Sequence, residues 1–158
     1  MSRTKVFFGA RAILSILKEE KGSLDLLDLA FERSINIATC AYAVRLVHES
    51  LSIASLGTID EYPLRLNLGT LFKEHNSIFE FDKPLPRDIK KLKKADLPNP
   101  VIAYAASIKN GKPKAHYFAS CDNVILKNHR KFFAQQVGIP ALPPSLVYAA
   151  IIRQFKTS

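Results

Sequence analysis

Two carboxylates in this chain sit where their neighbours give them chemical meaning. Glu49 lies in a helix-spaced run from Ala41 to Leu56, which Gly57 ends. At about 100° per residue it falls inside an apolar stripe made by Tyr42, Leu46, Ile53 and Leu56. Val44, Val47 and Leu51 form a second apolar side, so the helix is expected to be covered on both sides and Glu49 to be held from water. A carboxylate in that position needs a cation, a network of hydrogen bonds or a proton. Two solutions are open: a metal ligand or general base, or an internal ion pair with Arg45 one turn earlier. Asp122 closes the strand-like segment Tyr117-Phe-Ala-Ser-Cys-Asp122. It stands either at the edge of a parallel sheet where ligands bind, or as the cap of the following helix, a duty Asn123 can share.

The elements that must position these residues follow from hydrophobic period. Lys5 to Phe8 reads as strand and Ala10 to Lys18 as helix. Ser23 opens a second helix, with Asp25 and Asp28 in its first turns. Ile35 to Thr39 is the second strand. Thr58 to Glu61 has capping-box form, Ser77 to Phe81 alternates like a third strand, and Arg87 to Ala95 reads as a short basic helix. Asn99-Pro100 reads as cap and first residue of a helix running through Ile108. Ala115 to Cys121 is the fourth strand, Val124 to Val137 a helix stopped by Gly138, and Ile139 to Leu142 a fifth strand. Pro143-Pro144-Ser145 opens a last helix to about Phe155. Strands alternating with helices predict a three-layer α/β/α sandwich around a mostly parallel sheet of about five strands, one domain over 1–158.

Charge narrows the class of partner. The net charge of +9 is concentrated between Lys83 and Lys131. That stretch carries Lys83, Arg87, Lys90, Lys91, Lys93, Lys94, Lys109, Lys112, Lys114, Lys127, Arg130 and Lys131 against Asp88, Asp96 and Asp122. Such a field attracts phosphate backbones, although lysines also serve as a solvated face. The apolar runs are too short or too charged to span a bilayer, and no signal peptide is read, so a cytoplasmic protein is expected. Cys40 and Cys121 are too few for a disulfide framework, lack zinc-site spacing and are expected to be small buried thiols. His48, His75, His116 and His129 do not fall at metal-ligand spacing, and no phosphate loop, GxSxG or HExxH motif occurs.

Four segments carry a family resemblance: Val6-Phe-Phe-Gly-Ala-Arg-Ala-Ile-Leu-Ser-Ile-Leu17, Ala43-Val-Arg-Leu-Val-His-Glu49, Leu97-Pro-Asn-Pro-Val-Ile-Ala-Tyr-Ala-Ala106 and Tyr117 to Asp122. With the ending Phe132-Phe-Ala-Gln-Gln-Val-Gly-Ile-Pro-Ala-Leu-Pro143, the chain resembles the PIN domain over nearly its whole length. That resemblance implies an Mg²⁺- or Mn²⁺-dependent ribonuclease ancestry, with toxins paired to antitoxins and RNA-processing factors among its members. It places the family's acids at Gly9, Glu49, Asn99 and Asp122, with Ser120 where the family often has Ser or Thr. Gly9 has no ligand atom and Asn99 only a neutral carbonyl oxygen, so two of the four acids are missing. Mg²⁺ is held mainly by carboxylates, phosphates and water, which predicts an impaired or abolished metal site. Asp96 replaces a ligand only if the Leu97-Pro98 turn folds inward.

Three functions are therefore weighed. The first is an RNA-binding PIN-like protein with weak or no nuclease activity, using Arg87, Lys90, Lys91, Lys93, Lys94, Lys112, Lys114, Lys127, Arg130 and Lys131 on phosphates. The second is an active Mg²⁺- or Mn²⁺-dependent endoribonuclease using Glu49, Asp122 and Asp96. The third is a protein-interaction module whose apolar helices meet a second copy or an antitoxin-like partner.

Overall fold

A computed structural model describes residues 3–54, 71–75, 91 and 96–157. Five strands form one sheet: β1 (Thr4–Phe8), β2 (Ile35–Cys40), β3 (Lys73–His75), β4 (Tyr117–Ala119) and β5 (Ala141–Leu142). Their spatial order is β3-β2-β1-β4-β5 and every pairing is parallel. β1 is central, and its Val6, Phe7 and Phe8 are wholly buried. That explains why the strand reads as a continuous apolar run without alternation, as in sheets covered on both faces.

The helices whose full extent lies among the described residues are α1 (Ala10–Leu17), α2 (Lys21–Phe31), α3 (Ala41–Ala54), α4 (Asn99–Asn110), α5 (Asn123–Asn128), α6 (Arg130–Phe132) and α7 (Pro144–Thr157), with a π-helical turn at Phe133–Val137. Phe7 and Phe118 are partners across β1 and β4 and point to the same face. There the Phe118 ring meets Tyr104 of α4 at 5.3 Å and Phe133 of the π turn at 4.9 Å between centroids. On the other face α2 packs against α1 and α7, and α7 reaches β4. The expected three-layer α/β/α arrangement is thus the one present.

Several local expectations are corrected. Helix α2 begins at Lys21, and Ser23 is buried inside it with its hydroxyl against that of Ser15, so it caps nothing. Asn99 is the first residue of α4 after Pro98 and makes no side-chain cap bond. The single helix expected over Val124 to Val137 is broken at His129, whose φ of −127° leaves the helical region. The break and the π turn bring Phe133 inward onto Phe118, and Gly138 ends the turn at φ 83° as its stop signal requires. The segments Thr58 to Glu61, Ser77 to Phe81 and, apart from Lys91, Arg87 to Ala95 lie outside the described residues. No helix among the described residues is long and apolar enough to cross a membrane.

Candidate functional site

The connection from β1 runs out toward β2, while β4 lies on the other side of β1. A parallel sheet opens a crevice at such a switch point, beyond the carboxyl ends of its strands. A cavity of about 440 Å³ lies there. Gly9, Ala10 and Arg11 line it from the end of β1 and the head of α1, and Ser120, Cys121 and Asp122 from the end of β4. Leu46 and Ser50 of α3, and Pro100 and Tyr104 of α4, close it from the sides. Gly9, Ser120 and Asp122, expected at this edge, are therefore brought together.

Gly9 is closely approached by aromatic side chains. A Cβ there would stand 3.2 Å from the edge of the Phe118 ring and 3.5 Å from Tyr104, so a side chain at this position fits only if the Phe118 ring gives by a few tenths of an ångström. Tyr104 is 3% exposed, and its hydroxyl accepts a hydrogen bond from the backbone N–H of Ala10 at 3.0 Å. Burial pushes its phenol well above the ordinary tyrosine range, which keeps it neutral. Asp122 takes the capping role: its Oδ1 accepts from the backbone N–H of Val124 at 2.9 Å. Its own N–H donates to Ser120 Oγ at 3.2 Å.

Glu49 departs from its expectation. Its side chain is 61% exposed, and Glu49 does not line the cavity, although Leu46 and Ser50 on either side of it do. Of the two solutions open for it, the structure has the ion pair, Arg45 Nε to Glu49 Oε1 at 3.9 Å, on the surface. Arg45 also lies over the Tyr42 ring, 5.1 Å from its centroid. The buried side of α3 is a single stripe, Ala43, Val47 and Leu51, and Val44 and Leu46 are half-buried, so water reaches the turn carrying Glu49. Exposed pairs of this kind contribute little. Glu49→Gln is expected to change the unfolding free energy by less than about 0.5 kcal/mol in denaturant titration, where an inward-held carboxylate would give a much larger change.

Asn99 and Asp96 are both exposed and neither lines the cavity, so the Leu97-Pro98 turn does not carry Asp96 inward. Among the described residues no three His, Cys, Asp or Glu side chains group to hold a metal ion. The four positions the family resemblance assigns to metal acids thus supply one carboxylate to the crevice, and one of its oxygens already caps α5. Glu20, which is exposed, is the other carboxylate among the lining residues.

Cys40 is a buried thiol, as expected; Cys121 is half-buried and lines the cavity. Burial raises its pKa, partly offset by a hydrogen bond with Ser15, so it is a protonated thiol at neutral pH.

The basic residues divide. Lys127, Arg130 and Lys131 are exposed together on α5 and α6, directly after Asp122. Lys112 and Lys114 lie in the loop entering the other end of β4, and Lys114 Nζ donates to the backbone carbonyl of Val137 at the close of the π turn. Lys114 is thereby a structural tie and does not border the crevice. Lys91 is exposed, while Arg87, Lys90, Lys93 and Lys94 lie outside the described residues. The signal for Arg11 and Lys18, the lining cations that sequence reasoning passed over, was Arg11 two residues beyond the strand-ending Gly9, at the head of a helix.

Comparison of the chain with protein-family models and with curated proteins finds no match.

Proposed function

We propose that this chain is a PIN-like domain that binds RNA through its basic surface and has lost the acidic metal site of that family. The observation that carries the reading is the composition of the crevice: Gly9 and Asp122 lie in it as the resemblance requires, yet Asp122 is engaged as a cap and Glu49 stands outside the lining. Binding survives such a loss where hydrolysis does not. Phosphate contacts need exposed cations, which Lys127, Arg130 and Lys131 supply, whereas metal-assisted hydrolysis needs clustered carboxylates.

Fluorescence anisotropy with single-stranded RNA across a salt series tests the binding half. If about three to six phosphates are contacted, log K falls against log salt with a slope of about −2 to −4; a flat response excludes the basic surface as the binding element. The same RNA incubated with Mg²⁺ or Mn²⁺ tests the other half. The native chain, Glu49→Gln and Asp122→Asn are expected to leave it intact alike. Cleavage by the native chain that both substitutions abolish would restore the nuclease reading.

A further inference from the structure

Near the start of β1 a buried cation and a half-buried imidazole meet. Lys5 is 6% exposed although it belongs to the central strand, and its Nζ donates to the backbone carbonyl of Pro113 at 2.7 Å. His75, the last residue of the edge strand β3, is half-buried. Its ring lies nearly parallel to that of Phe7, with 6.4 Å between centroids, and Phe7 shares its side of the sheet with Lys5, two residues earlier. Gly111, just after α4, shows how close the two are: a Cβ there would stand 3.3 Å from His75 Cε1 and 3.4 Å from Lys5 Nζ. The imidazole and the ammonium therefore flank a single glycine.

The charged groups around His75 are mostly of one sign. Lys73 shares its strand and its face, and the charge of Lys73 bears on Lys5 as well; Glu74, exposed between them, turns to the other face by the alternation of a strand. β2 brings one titratable side chain, the neutral buried thiol of Cys40, which is the register partner of His75. α4 carries Lys109 in its last turn and the neutral phenol of Tyr104 toward the crevice, and Lys112 follows in the loop. No carboxylate makes an ion pair with His75 among the described residues. The imidazole is accordingly held below the ordinary histidine range, by burial first and by the Lys5 charge second. A strand that leaves the sheet returns His75 to water and to its ordinary affinity for protons, so acid favours the open strand.

We propose that β3 is an acid-sensitive edge of the sheet: protonation of His75 sets a second cation beside buried Lys5 and releases Lys73–His75 from β2. Lys5 cannot yield to that repulsion. Its backbone N–H donates to His116 Nδ1 at 3.0 Å, its carbonyl accepts from the His116 N–H at 2.8 Å, and its amine is tied to Pro113. β3 can yield, because it is three residues long, stands at the end of the strand order and pairs with β2. The device is independent of the RNA reading.

Nuclear magnetic resonance on the full chain, from neutral to mildly acid pH, tests it in two ways. The His75 ring signal, identified by its loss in His75→Gln, is expected to titrate with a midpoint below about 6.5, the ordinary histidine value. Lys5→Met, which keeps most of the buried stem and removes the charge, is expected to raise that midpoint. Amide exchange, corrected for its intrinsic pH dependence, is expected to show protection at Lys73–His75 falling about three- to tenfold from about pH 7 to about pH 5, while protection at Val6–Phe8 of β1 holds. His75→Gln cannot take the proton, so its β3 protection is expected to stay level. A midpoint at or above the ordinary value, a β3 protection that does not respond to pH, or an equal fall in His75→Gln overturns the proposal. So does an equal loss across β1 and β3, which is general acid unfolding rather than release of one strand. If Lys5→Met folds and leaves the midpoint where it was, the contact with Lys5 is not the cause and the proposal falls; if it does not fold, the comparison of the native chain with His75→Gln decides.

Discussion

Phe118→Ala is expected to lower the unfolding free energy by about 3–5 kcal/mol, the range for removing a buried aromatic ring from a core. The ring is wholly buried on β4 and stands at the centre of the aromatic layer. Its centroid lies 5.7 Å from Phe7, 5.3 Å from Tyr104 and 4.9 Å from Phe133, all near edge-to-face. Those partners come from β1, α4 and the π turn, so the cavity left behind is walled by three separate elements that cannot all collapse into it. At roughly 2–4 °C per kcal/mol for a domain of this size, the melting temperature falls by about 6–20 °C. Phe118→Leu, which keeps most of the volume, is expected to lose less than half as much. A loss below about 1 kcal/mol for the alanine variant, read by denaturant titration, would mean that this aromatic cluster is not the keystone of the sheet's covered face.

The fold was legible because most of its elements announce their period and their ends. Val6-Phe-Phe8 has no polar residue, which only a strand covered on both faces tolerates, and Gly138 adopts the positive φ that its place after an apolar helix implied. What stayed hidden was geometry set by tertiary packing. The π turn has no local code in Phe133-Ala-Gln-Gln-Val137; it coincides with the packing of Phe133 on Phe118, a contact distant in sequence. β3 forms at Lys73–His75, a segment whose lysine and glutamate resemble loop, since an edge strand takes its register from β2 more than from its own side chains.

The site was legible in outline and misjudged in its charges. Gly9 and Asp122 meet because strand ends in a parallel sheet must share one edge, which is a property of topology. Glu49 was misplaced because an apolar neighbour is not the same as a covering neighbour: Val44 and Leu46 remain half-buried, and the glutamate turns to Arg45 at the surface. Tyr104 is buried on α4. Its hydroxyl reaches the head of α1, a contact across 94 residues of sequence that no local pattern announces.

The basic surface carries the second large effect. Lys127, Arg130 and Lys131 are exposed on two consecutive short helices, and none of the three makes an ion pair among the described residues, so their charge is available to a polyanion. Each phosphate contact on single-stranded RNA adds about 0.7 to the salt slope, which at about 0.1 M salt corresponds to roughly fivefold in affinity. Lys127→Gln/Arg130→Gln/Lys131→Gln is therefore expected to weaken RNA binding on the order of a hundredfold at that salt and to reduce the slope by about 2. All three side chains stand in solvent, so the melting temperature should hold, which separates lost contacts from lost structure. Lys114→Gln is the informative contrast: its amine is tied to the Val137 carbonyl, so it is expected to cost stability and to leave the slope almost unchanged. If Lys114→Gln lowered the slope as much as the triple substitution, the RNA path would run along the opposite end of β4, away from the crevice.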